Sequence, residues 1–153
     1  MAYKQKNRKI VLASGVFDLL HLGHVKFLEA AKASGGKNAK LVVVVAKDST
    51  VEKTKLKRPI MSEEQRVALV ASLRVVDQAV IGYETMNIAE VISQIKPDII
   101  ALGYDQEEMA RQVRAYLDAH KARIEVVRIG KFGENTLDSS SKIKQKIIDK
   151  HAN

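Results

Sequence analysis

Residues 10–24 read Ile-Val-Leu-Ala-Ser-Gly-Val-Phe-Asp-Leu-Leu-His-Leu-Gly-His. The first four residues are apolar, which predicts a short buried strand over Ile10–Ala13. Apolar residues at three- and four-residue spacing then predict a helix over about Leu22–Ser34. A strand that passes through a glycine-containing turn into a helix is the beginning of a βα unit. Both histidines, His21 and His24, fall at the first turn of that helix.

The same alternation of strand and helix continues along the chain. Further apolar runs predict strands at 41–46, 79–81, 99–102 and 124–129. Helices are predicted from a capping box at 62–65 to about 75, and over 88–95, 107–121 and 139–150, with Ile143, Ile147 and Ile148 of the last helix facing inward. We therefore expect a single domain over 1–153, with a Rossmann-like, doubly wound α/β fold and a five-stranded, mainly parallel sheet. The run 41–45 lacks polar alternation, so it is expected at the middle of that sheet.

Composition limits the chemistry that this chain can perform. It has 153 residues, a length typical of one domain, and no cysteine, which excludes disulfides, thiolate metal sites and cysteine nucleophiles. No apolar stretch is long enough for a signal-peptide core or a membrane span. A soluble, cytoplasmic protein without membrane contact is therefore expected.

The charge of the chain favours a polyanionic partner. The formal net charge is +8, and basic residues cluster in an amino-terminal arm at 1–8, at 53–58 and at 142–150. Only 5% of the residues are aromatic, and no basic segment is interleaved with the stacking side chains of a single-strand binder. A triphosphate or pyrophosphate is therefore favoured over nucleic acid. The segment 48–60 combines high charge with no periodicity, and we expect it to be a mobile loop.

Polar and glycine residues follow each predicted strand. In an open parallel sheet, ligands bind beyond the carboxyl ends of the strands, where the strand order reverses. The candidates for this edge are Ser14–Asp18, Lys47–Asp48, Gly82–Tyr83, Gly103–Asp105 and the serines 139–141. The sequence therefore predicts one site at one edge of the sheet.

His21 and His24 lie three residues apart, so they point to one side of their helix. Two imidazoles at a helix N-terminus can donate hydrogen bonds to phosphate oxygens, and these bonds strengthen as charge builds on a phosphorus under attack. Such a pair can also bind a metal, or one histidine can be satisfied in the core. The preceding strand and Gly15-x-Phe17-Asp18 favour the phosphate role.

Residues Gly15–His24 closely resemble the GxFDxxHxGH signature of the cytidylyltransferase-like nucleotidyltransferases. The resemblance implies that an acceptor phosphate attacks the α-phosphorus of ATP or CTP in line, that pyrophosphate leaves, and that no covalent intermediate forms. It implies a catalytic role for His21 and His24. It also assigns nucleotide binding to residues Val16, Phe17, Gly23 and His24.

Three other segments extend the resemblance. Ser139-Ser140-Ser141 resembles the Ser-Thr-Thr-x-Ile type motif that holds the leaving phosphates, although Asp138 stands where an apolar residue is usual and serines also cap helices. The run 58–66 resembles a basic loop before an E-x-x-R helix. It offers Arg66 for a phosphate or structural contact, and Lys55, Lys57 and Arg58 either as a lid or as a solvated charge run.

Gly103-Tyr-Asp105-Gln106 resembles the segment that contacts the base or ribose of the nucleotide. Asp105 can accept a hydrogen bond from a ribose hydroxyl or an exocyclic amine, or cap the next helix instead. Asp18 is the acceptor-side carboxylate, and it can assist Mg²⁺ or orient its own loop through backbone N–H groups. Lys47 can meet the acceptor phosphate, or be a solvated lysine at a strand end.

Over nearly the whole chain the likeness is greatest to the archaeal-type FAD synthases. Those enzymes transfer AMP from ATP to FMN with a divalent metal, expected to be Mg²⁺, and the superfamily commonly forms homodimers. Glycerol-3-phosphate cytidylyltransferase is the alternative, but its segment typically ends in tryptophan where Gln106 stands, and this chain has no tryptophan. Pantetheine-phosphate adenylyltransferase is a third, weaker alternative, because that group usually carries threonine at the position of His21.

A different class stays open, namely a non-catalytic, basic module that binds nucleotides or nucleic acid. A nucleic-acid binder that neutralises many phosphates loses affinity steeply with salt. Release of pyrophosphate from ATP and FMN would instead identify an enzyme.

Overall fold

The computed structural model describes residues 8–84, 87–133 and 139–152. Residues 1–7 of the basic arm at 1–8, and Asp138, therefore lie outside the described residues. The strands are β1 (Ile10–Gly15), β2 (Lys40–Val45), β3 (Gln78–Ile81), β4 (Ile99–Gly103) and β5 (Glu125–Ile129). The helices are α1 (Leu22–Ser34), α2 (Asp48–Lys55), α3 (Glu63–Ala71), α4 (Ile88–Ile95), α5 (Glu107–His120) and α6 (Ser140–His151). In the described ranges, no helix has both the length and the apolar character needed to cross a bilayer.

The five strands form one sheet in the order β3-β2-β1-β4-β5, and every neighbouring pair is parallel. This confirms the predicted doubly wound α/β fold. The chain winds outward from β1 to β3 and then returns to place β4 on the other side of β1. The strand order thus reverses between β1 and β4, which is where ligands bind in such sheets.

The middle of the sheet is β1, so the expectation that 41–45 would occupy it was wrong. Strand β2 is the neighbour of β1, with five of its six residues buried. A strand without polar alternation is covered by helices on both faces. Every inner strand of such a sheet is covered in this way, so the pattern does not identify the central one.

Two hydrophobic cores lie on opposite faces of the sheet. Helices α1 and α3 pack on one face, where Leu28 and Val70 meet Val11 and Val43. Helices α4 and α5 cover the other face, in a cluster of Leu12, Val44, Ile92, Ile100, Leu102, Ala110, Val113 and Leu117. These two layers hold the carboxyl ends of β1 and β4 in a fixed relation.

Part of the expected mobile loop at 48–60 is a helix, so that prediction was wrong over its first eight residues. Helix α2 begins at Asp48, which suits the helix dipole, and has basic residues in its last turn. Only Val51 is buried in α2, so the segment carries no apolar stripe that a periodicity search could detect.

Two helix predictions also need correction. Helix α3 ends at Ala71 rather than near residue 75, and Val76 is buried in the following turn. In α6, Ile147 and Ile148 are 54% and 59% exposed rather than inward, and Ile143 alone is half-buried. The helix is attached by polar contacts at its N-terminal half, so its apolar spacing does not mark a core face.

Candidate active site

The turn between β1 and α1 has a tightly constrained backbone. Phe17 and Leu19 adopt left-handed conformations, with φ of 55° and 48°, which cost roughly 1–2 kcal/mol for residues with a side chain. The Phe17 ring is only 4% exposed and lies over Gly15, where an added Cβ would approach it to 3.0 Å. Gly15 is therefore the residue that allows the Phe17 ring to pack down and support the turn.

His21 and His24 form a stacked pair at the N-terminus of α1. Their ring centroids are 3.8 Å apart, and the Phe17 ring lies 5.4 Å from that of His24 at a tilt of 56°. His21 is the N-cap residue, and its backbone N–H donates to Nδ1 of His24 at 3.2 Å. Because Nδ1 accepts this bond, the proton of the neutral His24 ring is on Nε2.

The protonation state of His24 follows from its surroundings. The pKa of His24 is lowered from 6.5 to about 4, mainly by burial and also by the charge of His21, while the nearby Asp18 carboxylate opposes the shift. His24 is therefore a neutral Nε2–H donor at pH 7. Over the described residues, no group of three His, Asp or Glu side chains is placed to hold a metal ion. Because Nδ1 of His24 already accepts the N–H of His21, the geometry favours the phosphate role over a metal pair.

Asp18 is buried and serves the backbone rather than an acceptor. Its two carboxylate oxygens accept hydrogen bonds from the N–H groups of Ile60 and Met61, at 2.8 and 3.0 Å. Lys144 lies 3.7 Å away on α6. These bonds favour the loop-orienting alternative for Asp18 over the predicted acceptor binding, because each carboxylate oxygen already accepts a backbone N–H.

Arg66 is fully buried and lies beneath the site rather than in it. Its guanidinium donates to the carbonyl oxygens of Val16 at 2.7 Å, Ala46 at 2.8 Å and Met61 at 3.0 Å. It also pairs with the Asp48 carboxylate at 2.6 Å. These contacts favour the structural alternative for Arg66 over the predicted phosphate contact, because protein groups occupy the guanidinium.

The serine motif reaches the same turn from the far end of the chain. Ser139 caps α6 by accepting the N–H of Lys142 at 3.2 Å, so the capping alternative holds for this residue. The Ser140 hydroxyl donates to the carbonyl oxygen of Asp18. Ser141 is exposed in the first turn of α6. The N-terminus of α6 therefore lies beside the histidine turn, as a phosphate cradle requires.

Gln106 joins the ends of β4 and β1. Its Oε1 accepts the N–H of Gly103 at 2.8 Å, and its Nε2 donates to the carbonyl oxygen of Ser14 at 3.1 Å. Gln106 is also the N-cap residue of α5, so Asp105 does not have its alternative capping role. Asp105 is exposed beside Gly103, where an added Cβ would lie 3.0 Å from its Oδ1. In the sequence, Gln106 served only to distinguish one family from another, and its contacts with Gly103 and Ser14 were not predicted.

Lys47 lies at the carboxyl end of β2 and lines a groove of about 660 Å³. The floor and walls of this groove include Val42, Val44, Val80, Tyr83 and Val91. The basic side chains that follow α2 are exposed, and Arg58 pairs with Glu52 at 3.4 Å. Lys55, the last residue of α2, is exposed as well.

Known proteins are similar to this chain in sequence and in fold. The sequence profile of the family described as "Cytidylyltransferase-like" matches residues 12–146. A protein named FAD synthase from Methanothermobacter marburgensis is 46% identical over 94% of this chain and 88% of its own length. Another FAD synthase, from Methanopyrus kandleri, is 44% identical over 92% of this chain and 93% of its own length.

A solved structure shares the architecture at similar identity. It is described as a lipopolysaccharide core biosynthesis protein from Thermoplasma volcanium, and it superposes with a TM-score of 0.73 at 41% identity, covering 82% of this chain and 98% of that chain. The family profile covers most of the chain, including the histidine turn and the serine motif. This chain belongs to the cytidylyltransferase-like family.

Proposed function

We propose that the protein is an FAD synthase, which transfers AMP from ATP to FMN and releases pyrophosphate. The observation that carries this proposal is the stacked His21–His24 pair, held at a helix N-terminus at the switch point of the sheet. The FAD synthase names of relatives that are 41–46% identical over most of the chain support the choice of substrates.

The proposed reaction is a single in-line displacement. An oxygen of the FMN phosphate attacks the α-phosphorus of ATP, the bond from that phosphorus to the bridging oxygen of the β-phosphate breaks, and pyrophosphate leaves with the electron pair. No general base is needed, because a phosphate monoester has a second pKa of about 6 and is already charged. Catalysis is then positioning and electrostatic stabilisation.

His24 has the proposed central role. Its Nε2–H donates to an oxygen of the α-phosphate and strengthens that bond as charge builds in the transition state. Because its pKa is lowered, the His24 ring stays neutral and donates a hydrogen bond without transferring its proton. His21 contacts the neighbouring phosphate, and Val16, Phe17 and Gly23 form the backbone surface on which the phosphates rest.

The leaving group is proposed to bind at the start of α6. The N–H groups after Ser139, with the hydroxyl of Ser141, face an anion with the positive end of the helix dipole. Lys55, Lys57 and Arg58 then close over the pyrophosphate as a cationic lid. On the nucleotide side, Gly103 and Asp105 would receive the ribose or base.

Each Asp18 oxygen already accepts a backbone N–H, and the described residues offer no cluster of three His, Asp or Glu ligands. We therefore expect Mg²⁺ to arrive with ATP, held by phosphate oxygens and water, as this ion prefers.

The acceptor is proposed to enter along the groove at Lys47. The ammonium of Lys47, at the carboxyl end of β2, suits the FMN phosphate. The valines that line the groove suit a flat, largely apolar ring. The cytoplasmic setting, the homodimer and the lack of nucleic-acid binding all stay predictions.

The experiment crosses ATP and CTP with FMN and glycerol 3-phosphate in the presence of Mg²⁺, and separates the products. FAD and pyrophosphate should appear only with ATP and FMN. Product formed only from CTP and glycerol 3-phosphate would replace the proposal with the alternative transferase. Turnover in none of the four mixtures, with binding of single-stranded nucleic acid that weakens steeply with salt, would support the non-enzyme class.

A further inference from the structure

Arg66 is a permanently charged side chain that is fully buried. A buried ion pair is weak evidence for stability, because removing two charges from water offsets their attraction. Its contacts with Asp48 and three carbonyl groups therefore call for an explanation other than stability.

The three carbonyl groups belong to three different segments that meet under the site. Val16 precedes the strained turn at Phe17, and Ala46 precedes Lys47 at the carboxyl end of β2. Met61 ends the segment that follows α2 and also donates its own N–H to Asp18. One guanidinium thus fixes three segments relative to one another: the histidine turn, the end of β2 before Lys47, and the residues that precede α3.

A planar guanidinium with five N–H donors can reach several carbonyl groups at fixed angles, whereas a lysine ammonium cannot reproduce that fork. Misplacement of a reacting group by about 1 Å can lower a rate by about 100-fold. We infer that Arg66 is a positioning residue, which sets the location of His24 relative to the acceptor through the carbonyl groups of Val16, Ala46 and Met61. This role rests on the proposed function.

The first test compares Arg66→Lys with Arg111→Lys, a control whose side chain is 77% exposed and pairs with Glu108 on the surface of α5. Both proteins are checked for folding by circular dichroism, and the kcat and KM for ATP and FMN are measured. In folded Arg66→Lys, the kcat should fall at least about tenfold while the KM for ATP changes less than about threefold. The control should keep both constants.

A second readout follows the His24 ring itself. Its NMR signals, assigned by their loss in His24→Gln, should shift in Arg66→Lys and stay in place in Arg111→Lys. Folded Arg66→Lys with a kcat within about twofold of wild type and an unshifted His24 signal would overturn the inference.

If Arg66→Lys does not fold, Asp48→Asn decides. This variant keeps the arginine but removes the charge of the carboxylate that orients its guanidinium, so the bonds to the three carbonyl groups should loosen. We expect its kcat to fall at least about threefold with a shifted His24 signal. A wild-type kcat and signal would overturn the inference. Failure of the wild-type protein to form FAD would instead contradict the proposed function, and the His24 signal would still test the role of Arg66.

Discussion

At the scale of single residues, the protonation state of His24 is set by its neighbours. The backbone N–H of His21 occupies Nδ1, and the Phe17 ring and the stacked His21 ring remove water from its faces. Both effects keep the ring neutral with its proton on Nε2. A histidine of ordinary pKa would be partly charged at neutral pH, and its donor capacity would then vary with small changes in pH.

Loss of this donor should affect the rate far more than the fold. In His24→Ala, we expect turnover to fall at least about 100-fold, as when a transition-state hydrogen bond is removed from other enzymes. The circular dichroism spectrum should be unchanged. A variant that retains wild-type turnover would show that His24 does not contact the reacting phosphate.

The lowered pKa of His24 also makes stability depend on pH. The unfolded chain binds a proton near pH 6.5 and the folded chain only near pH 4, so the unfolded state binds more protons between these values. Folding stability should therefore rise with pH from about 4 to 6.5, by roughly 3 kcal/mol for this group, and stay level above that range. Urea unfolding of wild type and His24→Gln across this range measures the difference between the two proteins. Parallel curves would contradict the shifted pKa.

At the scale of elements, the predictability of each helix depended on how its apolar residues are spaced. Helix α1 and the range Ile88–Ile95 were predicted, because apolar spacing marks both and Pro97 stops the latter. Helix α2 was missed, since one buried valine in eight residues leaves no pattern. The C-cap residues of α2 and α5 are Leu56 and Lys121, which adopt the left-handed conformation usual for glycine. No glycine therefore marks these helix ends in the sequence.

Leu56 offers a direct test of α2. Its φ of 55° is unfavourable for a residue with a side chain, and the side chain is 88% exposed, so glycine would lose little packing. Leu56→Gly should raise the free energy of unfolding by about 1 kcal/mol. Lys53→Gly, inside the helix, should lower it by about 1 kcal/mol. Thermal unfolding of both variants provides the measurement, and destabilisation by Leu56→Gly would indicate that α2 does not end in this way.

At the scale of the whole molecule, the sequence predicted where the site lies better than what each polar residue does there. The edge of the sheet follows from the strand pattern alone, and the histidine turn, the serine motif and Gly103 do lie along it. The roles of Asp18, Arg66 and Gln106 depend on partners 42, 50 and 92 residues away in the chain. Whether a polar side chain faces substrate or holds a distant loop is decided by packing, which local spacing does not encode.

The most direct test of the central claim follows the α-phosphorus. The protein is incubated with ATP labelled with ³²P at the α-phosphate, FMN and Mg²⁺, and the products are separated under native and denaturing conditions. The label should appear in FAD, with one pyrophosphate released for each FAD formed and none of the label attached to protein. Label retained covalently on the protein, or label that remains in ATP with no FAD formed, would contradict the account.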